Sequence, residues 1–289
     1  MKSLNKKFGS SILAALCVVF LIAGCIRSST KEENKGTSEN YLKKIDSIKE
    51  EIRLSAELQS VLDKFPAQME ISMALEKAKA GYYFEITNSP GNVAKYTTEK
   101  SKALNLGVYS ADLNYSVAYN RTDETNKFVY CTSKLADELG LSGVYDQPTK
   151  DKLKKYSNNK DSMIALTSSL SDQTKSFLSE NDRNEVAVLI AAGGFAEGIF
   201  LASALGEMAV RDNSKIMGVI AGQKENYENL MQILSVYKKD PEIKPIVDAM
   251  DMLKCLWINY GIDHGKKIPH EKSVEISNLT KRVRESLVK

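Results

Sequence analysis

Apolar residues first gather into one unbroken run, residues 12–23, and then recur at helical spacing through most of the remaining chain. Leu42, Ile45, Ile48, Ile52 and Leu54 are separated by charged residues and fall on one stripe of a helix beginning near Tyr41. Pro66 breaks that pattern or starts the next one, and Met69, Ile71, Met73, Ala74, Leu75 and Ala78 predict a second helix ending near Gly81. The run Asn88-Ser89-Pro90-Gly91-Asn92 combines turn-forming side chains, a fixed proline φ and a permissive glycine, so it predicts a loop. A helix is expected over about 93–106, with Gly107 as its end or a point of close packing, and Val108, Ala111, Tyr115 and Ala118 follow at helical spacing. Phe128, Cys131, Leu135 and Leu139 mark another helical element that stops around Gly140 and Gly143. Residues 143–148 read as a loop, and helices resume through Leu153 and over 161–178.

The most apolar internal segment is 185–210. Each of Gly193 and Gly194 costs a helix interior about 1 kcal/mol, so their presence predicts tight packing or a local bend. Glu197 interrupts this run and Glu207 follows it, which favours a core helix over a membrane span. Later helices are predicted over 223–238 and 242–260, the second with Ile243, Ile246, Met250, Leu253 and Trp257 facing inward and Gly261 as a stop. A last amphipathic element after Pro269 carries Val274, Ile276, Leu279 and Val283. Alternating strand pattern is scarce and no repeat stands at solenoid spacing. The expected fold is therefore all-α, an irregular antiparallel multi-helix array rather than a solenoid.

The first apolar run is of a different kind. It follows Lys2, Lys6 and Lys7, with no acidic residue before Cys25, and at 12–23 it is short for a spanning helix of roughly 20 residues. It ends in Leu21-Ile22-Ala23-Gly24-Cys25, which resembles the bacterial lipobox. That resemblance implies a signal peptide over 1–24, cleavage after Gly24, diacylglycerol on the Cys25 thiol and acylation of the new amino terminus. An uncleaved anchor or an ordinary signal peptide is the alternative. Ile26, where an Asp would favour inner-membrane retention, points to the outer membrane of a diderm cell. Residues 25–40 are polar and read as a lipidated flexible tether, and 41–289 as a single helical domain.

Processing changes the charge picture. The whole chain carries 40 basic and 37 acidic residues. Removing Lys2, Lys6 and Lys7 leaves 37 basic residues, equal to the acidic count, so the basicity belongs to the leader. Neither that balance nor any basic stripe interleaved with aromatics supports nucleic acid as a partner. Of four cysteines, Cys17 leaves with the leader and Cys25 takes the lipid, so Cys131 and Cys255 either pair or stay as free thiols.

Three phrases, at 102–113, 133–140 and 193–200, resemble an uncharacterised family of predicted lipoproteins from Bacteroidota, and the likeness covers most of the mature region. It implies an all-helical exported protein and carries over no catalytic assignment. Phe195 and Phe200 stand where those relatives prefer other aromatics.

Candidate chemistry is sparse. Tyr109, Asp112 and Tyr115 lie three apart and share a helix face, suited either to a ligand contact or to an Asp-Tyr network joining two helices. Glu197, beside Gly193, Gly194 and Gly198, needs a partner if buried, either a structural one such as a tyrosine or lysine, or a ligand. The two glycines lack the flanking pattern of a phosphate loop. His264 and His270, the only histidines, have no adjacent cysteine pair, so no metal or other cofactor is expected. Tyr82-Tyr83-Phe84 reads as packing or as an interaction patch, and Lys152, Lys154 and Lys155 as a solvated face with some attraction for anionic lipid. No catalytic set emerges. The leading expectation is a membrane-tethered envelope interaction or structural protein without catalytic activity, partnered by membrane lipid through its anchor and by an envelope protein. The alternatives are a small-molecule binding module using Tyr109, Asp112, Tyr115 and Glu197 at an interhelical pocket, and, further off, an envelope glycan hydrolase needing a carboxylate pair at controlled separation.

Overall fold

Thr98 starts the helix around which the others gather. Its Oγ1 accepts from the Ser101 N–H (3.1 Å) while the Ser101 Oγ accepts from the Thr98 N–H (3.1 Å), a capping box that satisfies two otherwise orphaned donors. The computed structural model describes residues 44–45, 69–209 and 211–288. Two compact units divide the chain, Met1–Ser55 and Ala56–Lys289, with the boundary inside the 41–289 stretch. Lys44 and Ile45 of the first unit are helical. The rest of the stripe from Tyr41 to Leu54, the Cys25 lipobox and the 25–40 tether lie outside the described residues.

The second unit is an irregular all-α array. Its helices are α1 (Met69–Lys77), α2 (Glu99–Ala118), α3 (Thr122–Glu138), α4 (Gln147–Tyr156), α5 (Lys160–Glu180), α6 (Asn184–Met208), α7 (Ser214–Ala221), α8 (Lys224–Val236), α9 (Lys244–Asp251), the single turn α10 (Cys255–Ile258) and α11 (His270–Leu287). Short 3-10 turns fall at Phe84–Ile86, Pro90–Lys95 and Met252–Lys254, and no strand occurs among the described residues. Helix α2 packs chiefly on α6 and α3, and α6 in turn receives α11 and α7.

Local chemistry explains where the elements depart from the periodicity. The helix expected from about residue 93 begins instead at Glu99. Pro90 opens a 3-10 turn, Tyr96 is extended, and the Thr98 box sets the true start. Gly107 lies within α2, so it is a packing point and not an end. The stretch 242–260 is not one helix. Where the α pattern gives way to 3-10, the Tyr227 hydroxyl from α8 donates to the Asp251 carbonyl (3.3 Å). Helix α7 has no counterpart in the sequence reading. At eight residues it is about two turns, too short for its Ile216, Met217, Val219 and Ile220 to declare a period.

Helix α6 is long and apolar enough to cross a membrane, yet 94% of its apolar 18-residue stretch is buried inside the protein. It is a core helix, as Glu197 and Glu207 suggested. The inward stripe expected near 242–260 is present in Ile243, Ile246, Met250 and Leu253, all buried, while Trp257 is half-buried against Tyr227 (ring centroids 5.0 Å).

Candidate functional site

The two central helices approach each other through glycine. A Cβ on Gly107 of α2 would run into the Ile190 carbonyl oxygen, and one on Gly193 of α6 into the Leu104 carbonyl oxygen, both far inside van der Waals distance. Backbone-to-backbone contact at this crossing explains the tolerated helix penalty at Gly193. Slightly more than a turn further along each helix come Asp112 and Glu197, both with 0% exposure. Helix α11 brings Arg284 against them. Its Nε donates to Glu197 Oε2 (2.7 Å) and its Nη2 to Glu197 Oε1 (3.2 Å), a bidentate ion pair. The guanidinium also lies over the Phe200 ring, 5.1 Å from its centroid.

Two carboxyls and one guanidinium cannot all be charged here without leaving one negative charge uncompensated. Burial pushes the Asp112 pKa well up, the nearby Glu197 charge adds to the rise, and Arg284 opposes it. Burial also raises Glu197, against the pull of Arg284 and of a hydrogen bond with Asp112. The hydrogen bonds distribute the proton. Asp112 Oδ2 accepts from the Asn88 N–H (3.0 Å), whereas its Oδ1 has no donor facing it. A carboxylate oxygen at Oδ1 would be orphaned, whereas a protonated Asp112 is the donor in its hydrogen bond with Glu197, which raises the Asp112 pKa and lowers that of Glu197. Asp112 is therefore the acid, Glu197 the carboxylate and Arg284 the cation. Burial disfavours the charge on Arg284, yet Glu197 more than offsets it and raises that pKa.

The same face of α2 clamps the segment between α1 and α2. Asn88 donates its Nδ2 hydrogens to the Tyr96 hydroxyl (2.9 Å) and to Asn105 Oδ1 (3.4 Å). The Tyr109 hydroxyl donates to the Ser89 carbonyl (2.8 Å). The Tyr115 hydroxyl donates to the Gly81 carbonyl (3.1 Å) and accepts from the Tyr83 N–H (3.1 Å), while Tyr82 stacks on the Tyr115 ring at 4.7 Å. Desolvation raises the pKa of both Tyr109 and Tyr115, so they stay neutral phenols.

Asp112 and Glu197 thus meet in one buried network, Tyr109 joins its rim through the 88–96 segment, and Tyr115 pegs the same segment nearer its start. Each is fully buried, with protein groups as its partners. None of the four lines the largely apolar cavity between α2, α5 and α6 or the surface groove between α3 and α4. Chemically the cluster holds a proton between two carboxyls without offering it to solvent.

Arg284, Asn88, Tyr96 and Asn105 escaped sequence reasoning. A signal for Arg284 existed. Ser273, Ser277 and Thr280 are buried on α11, and Arg284 continues that inward polar ridge at helical spacing. Other candidates stand apart from the cluster. Cys131 and Cys255 are free thiols, and burial pushes the Cys131 thiol up to about 12, so it is unreactive near neutrality. His264 and His270 are exposed, and no group of three metal-ligating side chains occurs among the described residues. Lys152, Lys154 and Lys155 are exposed on α4. In the aromatic trio, Tyr82 and Phe84 pack inward and Tyr83 is 43% exposed. No protein-family model, curated protein or solved structure matches the chain.

Proposed function

We propose that this is a lipid-anchored protein of the cell envelope that works by docking a partner and not by turning over a substrate. The observation that carries this reading is the commitment of its most chemical side chains to architecture. Asp112, Glu197 and Arg284 tie α2, α6 and α11 together in the interior, where each satisfies another. A hydrolase would need such a carboxyl pair open to its substrate.

Docking has a suitable surface in the groove between α3 and α4, about 610 Å³ in volume. Tyr130, 61% exposed, stands in it as an aromatic anchor. Lys154 lines it without an ion pair among the described residues, while Lys134 and Lys150 are held by Glu138 and Asp137. An exposed aromatic beside a spare cation suits an acidic protein segment. The anchor rests on Leu21-Ile22-Ala23-Gly24-Cys25 and its charged, apolar approach. Several acyl chains give durable retention, since each buried CH₂ contributes ~0.8 kcal/mol.

Enrichment from gently crosslinked envelopes tests the docking. One envelope protein should be enriched over an unrelated lipid-anchored control, and Tyr130→Ala with Lys154→Glu should abolish that enrichment without unfolding the chain. Recovery equal to the control, or undiminished in the double variant, would overturn it.

A further inference from the structure

We propose that the cavity between α2, α5 and α6 is a binding site for a small uncharged apolar molecule carrying one hydroxyl group, of the aliphatic-alcohol class. The site lies on the other side of α2 from the carboxyl cluster, because Asn114 is two residues, about 200°, around the helix from Asp112. Its volume is about 70 Å³. A water needs roughly 10–15 Å³ of such space, so there is room for a short chain of heavy atoms.

The walls define the ligand. Leu106, Leu113, Leu170 and Ile190 make most of the lining apolar. Asn114 lines this space, is more than nine-tenths buried, and its Oδ1 has no hydrogen-bond partner among the described residues. A buried amide left unpaired is destabilising, so an external group that pairs with it is favoured. Three of the lining hydroxyls have already given their protons away. Ser110 donates to the Leu106 carbonyl (2.7 Å), Thr132 to Phe128 (2.9 Å) and Thr174 to Leu170 (2.7 Å). They present lone pairs only, as does Asn114 Oδ1, so a group that pairs with these four must donate. A ligand O–H can give its proton to Asn114 Oδ1 and accept in return. An ionic head would find no free counter-charge, since Lys175 at the edge is paired with Asp172 (3.0 Å).

Helix α5 makes the space. At its inward positions Thr167, Ser168, Ser171 and Thr174 replace the large apolar side chains that would close the packing. Ser168 and Ser171 are half-buried, and their hydroxyls form no hydrogen bond among the described residues.

The test is an NMR titration of the isotope-labelled full chain carrying Cys25→Ser, with 1-hexanol as probe and hexanoate in parallel. Hexanol should shift the Asn114 side-chain amide and the Ser168 and Ser171 amides saturably, and hexanoate should not. Asn114→Leu should weaken hexanol binding by about tenfold or more. Ser171→Leu, which fills the cavity from the more exposed helix, should do the same and serves if the first variant misfolds. Absence of a saturable shift, leaving only water in the cavity, would overturn the proposal. So would unchanged affinity in a folded variant, or hexanoate binding as tightly as hexanol.

Discussion

At the residue scale, protonation is the decisive property of the buried cluster. Asp112 binds its proton more tightly in the folded protein than an unfolded aspartate does, near 3.9. The cluster therefore contributes fully below the ordinary aspartate range, and that contribution is lost as pH rises through the raised folded value. Asp112→Asn keeps an acceptor for the Asn88 N–H and places a donor toward Glu197. Denaturant melts of this variant should show a smaller loss of stability with rising pH, and at alkaline pH it should equal or exceed the parent. Glu197→Gln strands the Arg284 charge in the interior and should cost about 3–5 kcal/mol. Replacing both partners, Glu197→Met with Arg284→Met, should restore most of that loss. A double variant as unstable as the single one would mean that the ion pair itself, and not its breakage, dominates.

At the element scale, the glycines of α2 and α6 set how closely two backbones run. Gly193→Ala or Gly107→Ala would gain helix propensity of about 1 kcal/mol and still lose stability, because the added carbon meets a backbone carbonyl that no rotamer change can move. The expected net loss is about 3 kcal/mol or more by chemical denaturation. Much of this was legible from sequence. Periodicity located most helices, and the glycines announced close packing. Starts and stops were less legible where caps decide them, as at Thr98, and α7 was too short to declare itself. The candidate site was half legible. Glu197 stood out because a carboxylate in an apolar run demands a partner. Arg284 did not, because its helix is rich in charge and only three-dimensional packing separates the inward arginine from the outward Arg282.

At the scale of the whole molecule, polar residues divide by job. Those of the interior brace helices, those of the α3–α4 groove lie at the surface, and Asn114, with an unpaired oxygen, lines the interhelical cavity. In the proposed function, a cleaved leader and a lipidated Cys25 add an address to this body. Mass spectrometry of the native protein should find an acylated Cys25 as its first residue, and an intact leader or an unacylated terminus would remove the lipid anchor from the account. The claim on which the rest depends is that the carboxyl cluster is sealed structure, with one proton held by Asp112. Carbon-13 NMR of the side-chain carboxyls across a pH series in the full chain tests it most directly. The account predicts that Asp112 keeps its proton well above the ordinary aspartate range while Glu197 is ionised beside Arg284. An Asp112 that titrates like a solvent-exposed aspartate would contradict it.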